Sequence, residues 1–387
     1  MQAKPPLAPK LPLFGPQTYA GAQGAGLPCL LDDPRAQFTT SGRAAILLAV
    51  EALGLGSTDR VLVPSYHCPT MVSPVLALGV HVGFYPIDDQ GLPQLDWLRD
   101  HAPADTRLVC VTHLFGLPRD FRAVKAWCDE RRCLLLEDCA HALFGRSAAG
   151  PVGSLGHAAI ASLPKFLPTP DGGLLLHPQP LKLSPAGLKA ELKTRLDLIE
   201  TADQFDRLQA WPLARGLLRI KQQLRRRPAP VAEPPLEAAQ FDPQSDYSRV
   251  DIALARRQAT SACITVARRA ARERIVRLRR EHYQAMVARF QGKTGLRPVQ
   301  PVLPDGAAPY VFPLWVEHPD PAYRQLRAAG VPISRWDWRW PDIPPLGDDH
   351  GPAWSHHVLQ LACHQDLSVA DRDAIITAIL AHYATAS

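Results

Sequence analysis

The stretch SLPKFLPTPDGG, Ser162 to Gly173, carries a single cation, Lys165, followed by phenylalanine, leucine and prolines. An ammonium in apolar surroundings is costly unless its pKa falls or it forms a covalent bond. Lys165 is therefore either a loop lysine whose head reaches water or a reactive amine. Upstream, CLLLED ends in Asp138 after a run too apolar to be a surface. A buried carboxylate needs a partner. That partner is a helix start, an arginine, or a cationic ring nitrogen. A third stretch, SGRAA (Ser41 to Ala45), places a glycine at the start of an alanine- and leucine-rich run. Amide groups at a helix start suit an anion such as a phosphate, with the Ser41 hydroxyl and the Arg43 charge as further donors. An ordinary N-cap has the same sequence.

Taken together, the carboxylate and the lysine fit one cofactor. Pyridoxal 5'-phosphate needs a carboxylate at its ring nitrogen to stay protonated and electron-poor. It also needs a lysine on a short loop after a later strand, and HAAIASLPK supplies a strand and then a lysine.

The elements around these residues alternate. SGRAAILLAVEALGLG reads as a helix ended by glycines, DRVLVPSY as a buried strand stopped by Pro64, TMVSPVLALG as a helix and VHVGFYPI as a strand. RLVCVTHLFG is a strand ending at His113, RDFRAVKAWCDERR an amphipathic helix, and CLLLEDCAH a strand ending in an acid. HAAIASL and GGLLLH complete the set. Strand and helix in series predict an α/β fold with a mostly parallel, doubly wound sheet. Ligands bind such sheets at the carboxyl ends of the strands, where Ser65 to His67, His113, Asp138 and His141 fall. Residues 178–247 read as a basic, helical, then proline-rich excursion. One long helix is expected over roughly 250–290, followed by a strand in PYVFPLWVE, a helix in YRQLRAAG, an aromatic loop in ISRWDWRWPDIP and a last helix opened by Ser368. We expect a large domain over residues 1–250, with an N-terminal arm, and a smaller α+β domain over 251–387.

With 46% hydrophobic and 21% charged residues among 387, the chain reads as a soluble globular protein with room for two domains. No apolar run is long enough to span a bilayer, and the proline-rich N-terminus lacks the apolar core of a signal peptide. A cytoplasmic protein without a membrane partner is expected. The eight cysteines form no CxxC pair, so reduced, mostly buried thiols are expected rather than a zinc ribbon. His356-His357 and Cys128/Cys133 lack a third ligand at suitable spacing, and no metal is expected. The net charge is +6, and much of the arginine lies in residues 215–227 and 267–282. The second run interleaves Ile275, Val276 and Leu278 with its arginines, as a solvated helix face does, and no nucleic-acid-binding motif accompanies it. No nucleic-acid partner is expected.

In order, SGRAAILLAVEALGLG, VLVPSYHCPT, VTHLFG, LLEDCAHALFG, VGSLGHAAIASLPK and DGG resemble the DegT/DnrJ/EryC1/StrS aminotransferases. The resemblance covers residues 38–176 and, more loosely, the C-terminal strand and helix pattern. It implies fold type I of the pyridoxal-phosphate enzymes and a homodimer with its active site at the subunit interface. It implies Lys165 as the Schiff-base lysine and proton shuttle, Asp138 at the pyridinium nitrogen, and His141 beside the cofactor's phenolic oxygen. Ser41, Gly42, Arg43 and Ser162 fall where the family holds phosphate. Cys68 falls where the family stacks an aromatic ring on the cofactor, so Tyr66 or His67 is expected to substitute. His113 is expected near the site in a positioning role, or as a core histidine hydrogen-bonded to backbone. Arg249 is a tentative substrate contact. Three departures stand out: Arg43 replaces a threonine, Ser162 lies closer to the lysine than usual, and DYSRVD (Asp246 to Asp251) replaces the family's G-x-N-x-R-M segment.

The expected activity is aminotransfer, from glutamate, to a keto sugar, possibly nucleotide-linked. The alternatives are another fold-type-I reaction, such as dehydration or a non-sugar aminotransfer, or a non-catalytic binding protein of this fold.

Overall fold

A computed structural model describes residues 6–22, 24, 26–205, 242, 243, 245, 249–341 and 343–383. The apolar runs read as buried strands form one seven-stranded sheet. Its strands are β1 (Ala36–Thr39), β2 (Arg60–Pro64), β3 (His81–Tyr85), β4 (Thr106–Thr112), β5 (Leu134–Asp138), β8 (Ala158–Ser162) and β9 (Gly173–Leu176). A two-stranded ribbon, β6 (Arg146–Ser147) and β7 (Gly150–Pro151), lies between β5 and β8 in the chain. The order across the sheet is β1-β9-β8-β5-β4-β2-β3. Strands β3, β2, β4, β5 and β8 run parallel, and β9 pairs antiparallel with both β8 and β1.

Helices α1 (Gly42–Ala52), α2 (Pro69–Leu76), α3 (Leu95–His101) and α4 (Arg122–Arg131) cover this sheet. Apolar clusters lie on both faces, one built on Leu47, Val63, Val72 and Ile160, another on Leu62, Val109, Trp127 and Leu135. Burial on both faces explains why these strands read as continuous apolar runs rather than alternating ones.

Beyond β9, the described part of the excursion is α5 (Leu188–Gln204). The basic run at 215–227 and the proline-rich run after it lie outside the described residues. The single helix expected over 250–290 is instead three: α6 (Ile252–Ala255), α7 (Ser261–Arg269) and α8 (Arg272–Phe290). Thr260 breaks the first junction as an N-cap, its hydroxyl accepting from the Cys263 amide. Ala270 breaks the second with an extended backbone, φ −59° and ψ 141°.

A four-stranded antiparallel sheet follows, ordered β10-β11-β13-β12. Its strands are β10 (Leu296–Pro298), β11 (Val311–Val316), β12 (Ile333–Ser334) and β13 (Val358–Ala362), with helices α9 (Ala322–Ala328), α10 (Gly351–His357) and α11 (Val369–Tyr383). Helix α8 packs on both cores. Ile275 and Val276 join the core built on β8 and β9, whereas Tyr283, Met286 and Phe290 join the core of the second sheet. Ala8 also packs in that second core, and the Leu13 amide donates to Asp366 at 3.1 Å, so the N-terminal segment is strapped to the C-terminal unit.

Among the described residues, no helix is long and apolar enough to cross a membrane. Seven of the eight cysteines are buried, and among the described residues no disulfide is formed.

Buried histidines give the fold an acid limit. Burial lowers His67 to about 4, with two backbone carbonyls partly opposing it. The folded state therefore holds this ring neutral while the unfolded chain protonates it near the ordinary value. Stability is complete above that ordinary value and falls as the pH drops from about 6.5 towards 4. The loss from His67 alone is about 3 kcal/mol. Urea denaturation at pH 7.5 and pH 4.5 is expected to show a lower midpoint at the acid pH. In His67→Gln, the difference between the two midpoints should shrink.

Candidate active site

The carboxyl ends of β4, β5 and β8 carry Thr112, Asp138 and Ser162 to one edge of the sheet. A short 3-10 turn, Leu163–Lys165, follows β8 and brings in Lys165. The N-terminus of α1 meets the same edge. There Ser41 caps the helix, its Oγ accepting from the Ala44 amide at 3.1 Å. These elements approach closely. A Cβ on Gly42 would lie 3.3 Å from that of Ser162, and one on Gly173 would lie 2.5 Å from the Ser41 carbonyl. Gly172 adopts a φ of +109° and donates its amide to the Thr40 carbonyl at 2.9 Å. The paired glycines after Lys165 thus let β9 pass directly beneath the start of α1.

Together these residues line a cavity of about 210 Å³, with Ser41, Gly42, Arg43, Asp138, His141, Ser162 and Lys165 all in its wall. Cys68, Thr70, Thr112 and Trp336 complete the polar and aromatic lining. Asp138 is buried, and its Oδ1 accepts from the Ala140 amide at 2.7 Å. Burial raises its pKa, while the charge of Lys165 and the Ala140 amide pull it back. Lys165 is half-buried, with protein packed around it densely enough that burial lowers its amine below the ordinary lysine value. The charge of Asp138 works against that shift. The Lys165 ammonium also lies 5.5 Å from the centre of the Tyr310 ring. Burial holds His141 well below its ordinary value, with the Lys165 charge adding to the effect. Its Nδ1 accepts from the Phe115 amide at 3.2 Å, which leaves the proton of the neutral ring on Nε2.

Other expected site residues sit elsewhere. Tyr66 does not line the cavity: it is fully buried against Trp336, Trp354 and Phe115, and its hydroxyl lies 3.4 Å from the Gln360 side chain. His67 does not line it either. Its Nδ1 bonds the Pro64 carbonyl at 3.0 Å, its Nε2 accepts from the Trp340 amide at 3.1 Å, and its ring stacks on Phe84. Both rings follow the chain as it turns out of β2 towards the C-terminal unit. The aromatic residue that the cavity does hold is Trp336, from the loop after β12, 5.1 Å from His141 between ring centres.

His113 also points away from the cavity. It bonds Glu137 Oε2 through Nε2 at 3.0 Å and accepts from the Arg119 amide through Nδ1. Glu137 further accepts from the amides of Gly153, Leu155 and Gly156. Burial alone would raise its pKa, but these donors together hold it below the ordinary value. Cys139 brings a third metal-ligand type to within 4.8 Å of His113 and Glu137. With both imidazole nitrogens and both carboxylate oxygens already engaged, the group serves as the anchor of the loop before β8.

Arg249 is exposed and lines a second, larger cavity of about 830 Å³, which shares Ser41 and Arg43 with the first. Lys189, Lys193 and Arg257 are also in its wall. The Arg43 guanidinium reaches the Arg249 carbonyl at 3.4 Å.

A sequence model of the DegT/DnrJ/EryC1/StrS aminotransferase family matches residues 30–183, the stretch that builds this edge of the sheet. Over this segment the chain is similar in sequence to that family. Curated relatives match over the same part of the chain. A dTDP-4-dehydro-2,3,6-trideoxy-D-glucose 4-aminotransferase of Saccharopolyspora spinosa is 30% identical over 153 residues, 39% of this chain and 40% of the relative. A GDP-perosamine synthase of Vibrio cholerae is 26% identical over 140 residues, 35% of this chain and 38% of the relative. The match thus spans about 40% of the length of these curated relatives. Solved structures extend the likeness in fold. An aminotransferase from Streptoalloteichus hindustanus superposes with a TM-score of 0.62 at 21% identity, covering 91% of this chain and 86% of its own. A sugar aminotransferase from Micromonospora echinospora gives 0.60 at 19%, covering 90% and 88%. The fold likeness thus covers about 90% of the chain, whereas the family-model match is confined to residues 30–183.

The residues lining the cavity fit pyridoxal 5'-phosphate. The Thr112 Oγ is buried without a protein partner in the cavity wall, so a polar demand there is unmet by the chain itself. The glycine at the start of α1 leaves its amides unobstructed by a side chain, as a phosphate requires. Cys68 lines the cavity at the position where the resemblance expects a ring, whereas Thr112 and Trp336 are not among the residues expected from the sequence. Of these, Thr112 had a signal, since it closes the strand that pairs in register with Asp138.

Proposed function

We propose that the chain is a pyridoxal-phosphate-dependent aminotransferase that carries an amino group to the carbonyl of a keto sugar. The observation that carries this reading is Lys165 and Asp138 in one cavity, each changing the other's proton affinity in the direction of its charge. In this reading Asp138 meets the cofactor's ring nitrogen, and the Nε2–H of His141 donates to its phenolic oxygen. The first amides of α1, with Ser41, Arg43 and Ser162, take the phosphate. When bound, the cofactor supplies an aldehyde that condenses with amines and a protonated ring that withdraws electrons from the adjacent carbon.

The chain's own part is proton management. A lysine whose amine is lowered by burial gives up its proton more readily than an ordinary lysine, so it can take a proton from one carbon and return it to another. Burial works against the Asp138 charge, whereas the Lys165 charge and the Ala140 amide favour it, and in its ionised form Asp138 would hold the ring proton in place. His141, kept neutral by burial, donates a hydrogen bond without adding a second positive charge near Lys165.

A sugar acceptor is supported by the printed activities of the relatives, among them a 4-aminotransferase for a dTDP-linked keto sugar and a 3-aminotransferase for a UDP-linked one. Other relatives are named as L-glutamine:2-deoxy-scyllo-inosose aminotransferases, so glutamine joins glutamate as a candidate donor. Arg43 and Arg249, with Lys189 and Lys193 nearby, would favour an anionic group on the acceptor. We further propose a homodimer that completes the open side of the site, working in the cytoplasm, where free buried thiols persist.

The test is a half-reaction. Protein loaded with pyridoxal 5'-phosphate is mixed with glutamate or glutamine, and the visible band is followed. Loss of that band with formation of the matching keto acid supports the reading. A loaded protein that is unchanged by every amino donor contradicts it and favours a binding protein of this fold.

A further inference from the structure

A fully buried cation is bonded to the backbone of the candidate lysine. Arg279 on α8 has no solvent exposure. Its Nη2 donates to the Lys165 carbonyl at 2.8 Å, its Nη1 to the carbonyls of Pro309 and Tyr310 at 3.0 Å, and its Nε to Gln365 Oε1 at 2.8 Å. The guanidinium lies 4.5 Å from the centre of the Phe166 ring. Gln365 in turn donates its Nε2 to the Phe166 carbonyl at 2.9 Å. Two successive carbonyls, those of Lys165 and Phe166, are thus held by two side chains that also bond each other. Through the Tyr310 backbone the same arginine fixes a ring that lies 4.5 Å from His141.

This arrangement is expensive for stability alone. The acceptors just named are all neutral, and burial lowers the guanidinium to about 10. The carboxylate that opposes that shift, Asp366, pairs at 2.9 Å with Arg274 and makes no hydrogen bond to Arg279 among those just given. A well-packed apolar side chain would cost less than a buried charge of this kind. What the apolar side chain cannot do is present a planar fork to three carbonyls at once, and a lysine cannot do so either.

We infer that Arg279 and Gln365 are positioning residues for Lys165, a clamp from the C-terminal unit that fixes the turn from which the reactive amine projects. The inference rests on the reading of Lys165 as the group that captures pyridoxal 5'-phosphate. In that capture the neutral amine adds to the aldehyde carbon, the new carbon–nitrogen bond forms, and the carbonyl oxygen leaves as water.

The test compares wild type with Gln365→Met, Arg279→Lys and Arg279→Met in the full chain. Two quantities are measured: the rate of covalent capture, followed by the visible band and checked by borohydride reduction, and the Kd for pyridoxamine 5'-phosphate, which lacks the aldehyde. Far-UV circular dichroism and Tm identify variants that fail to fold. The clamp predicts capture slowed by about tenfold or more, with the Kd changed by no more than about twofold and no rescue by lysine. Wild-type capture in folded Gln365→Met, or capture and Kd worsening by the same factor, overturns it. If the Arg279 variants do not fold, Gln365→Met decides the question. A wild-type protein that captures no cofactor overturns the reading of the cavity itself, whereas wild-type capture with unaffected variants overturns the clamp alone.

Discussion

Lys165→Ala is expected to abolish the visible band of the protein loaded with pyridoxal 5'-phosphate and to lower aminotransfer by about 10²–10⁴-fold, the range of a lost general acid–base group. The expectation follows from where the lysine stands. It leaves a 3-10 turn at the end of β8, faces a cavity that also holds Asp138, and has its amine lowered by burial. Alanine removes the amine and leaves the turn intact, because the Lys165 carbonyl that Arg279 holds belongs to the backbone. Secondary structure should therefore be unchanged. Added methylamine should restore part of the rate if the missing group is only a proton carrier. The comparison is made on kcat for the half-reaction with saturating donor, and an unchanged kcat would remove Lys165 from the chemistry.

Asp138→Asn is expected to have the second largest effect. Asparagine keeps the shape, and its carbonyl oxygen can still accept from the Ala140 amide, so the fold should survive. The charge is what disappears. Without it the cofactor's ring nitrogen loses the partner that favours its protonated form, and kcat should fall by about 10²-fold or more. There is a second, signed consequence. The Asp138 charge raises the Lys165 pKa against the effect of burial. Its removal should move the titration of the Lys165 amine further towards acid. In wild type, covalent capture of the cofactor declines as the pH falls through the lysine pKa. In Asp138→Asn that decline should begin at a lower pH. A shift towards alkali, or no shift, would mean that the two groups do not share an electrostatic environment.

Much of the sheet could be read from the chain because the signals are local. The parallel strands are largely apolar runs, and β4, β5 and β8 each end on a polar or acidic residue, Thr112, Asp138 and Ser162. That is why Asp138, Ser162 and the SGRAA helix start could be placed together before any coordinates. Tyr66 and His67 could not be placed this way. What turns them from the cavity is contact with Gln360, Trp354 and Trp340, nearly three hundred residues away. Trp336 enters the cavity from the same distant unit, where an alternation of tryptophans gave no sign of which ring faces inward. His113 is a similar case, since Glu137 takes it and Glu137 is in turn saturated by a loop beyond β7. The break at Thr260 was different. A threonine N-cap is a local signal, but it stands inside a run whose alanine and arginine content favours helix on both sides, and continuity outweighed it in the sequence reading.

The most direct test of the account is to locate the covalent bond. Protein incubated with pyridoxal 5'-phosphate is reduced with borohydride, digested, and its peptides mapped by mass. The account predicts one dominant phosphopyridoxyl adduct, on the peptide that contains Lys165, and its loss in Lys165→Ala. An adduct spread over surface lysines, or concentrated on another residue while Lys165 remains unmodified, would contradict it.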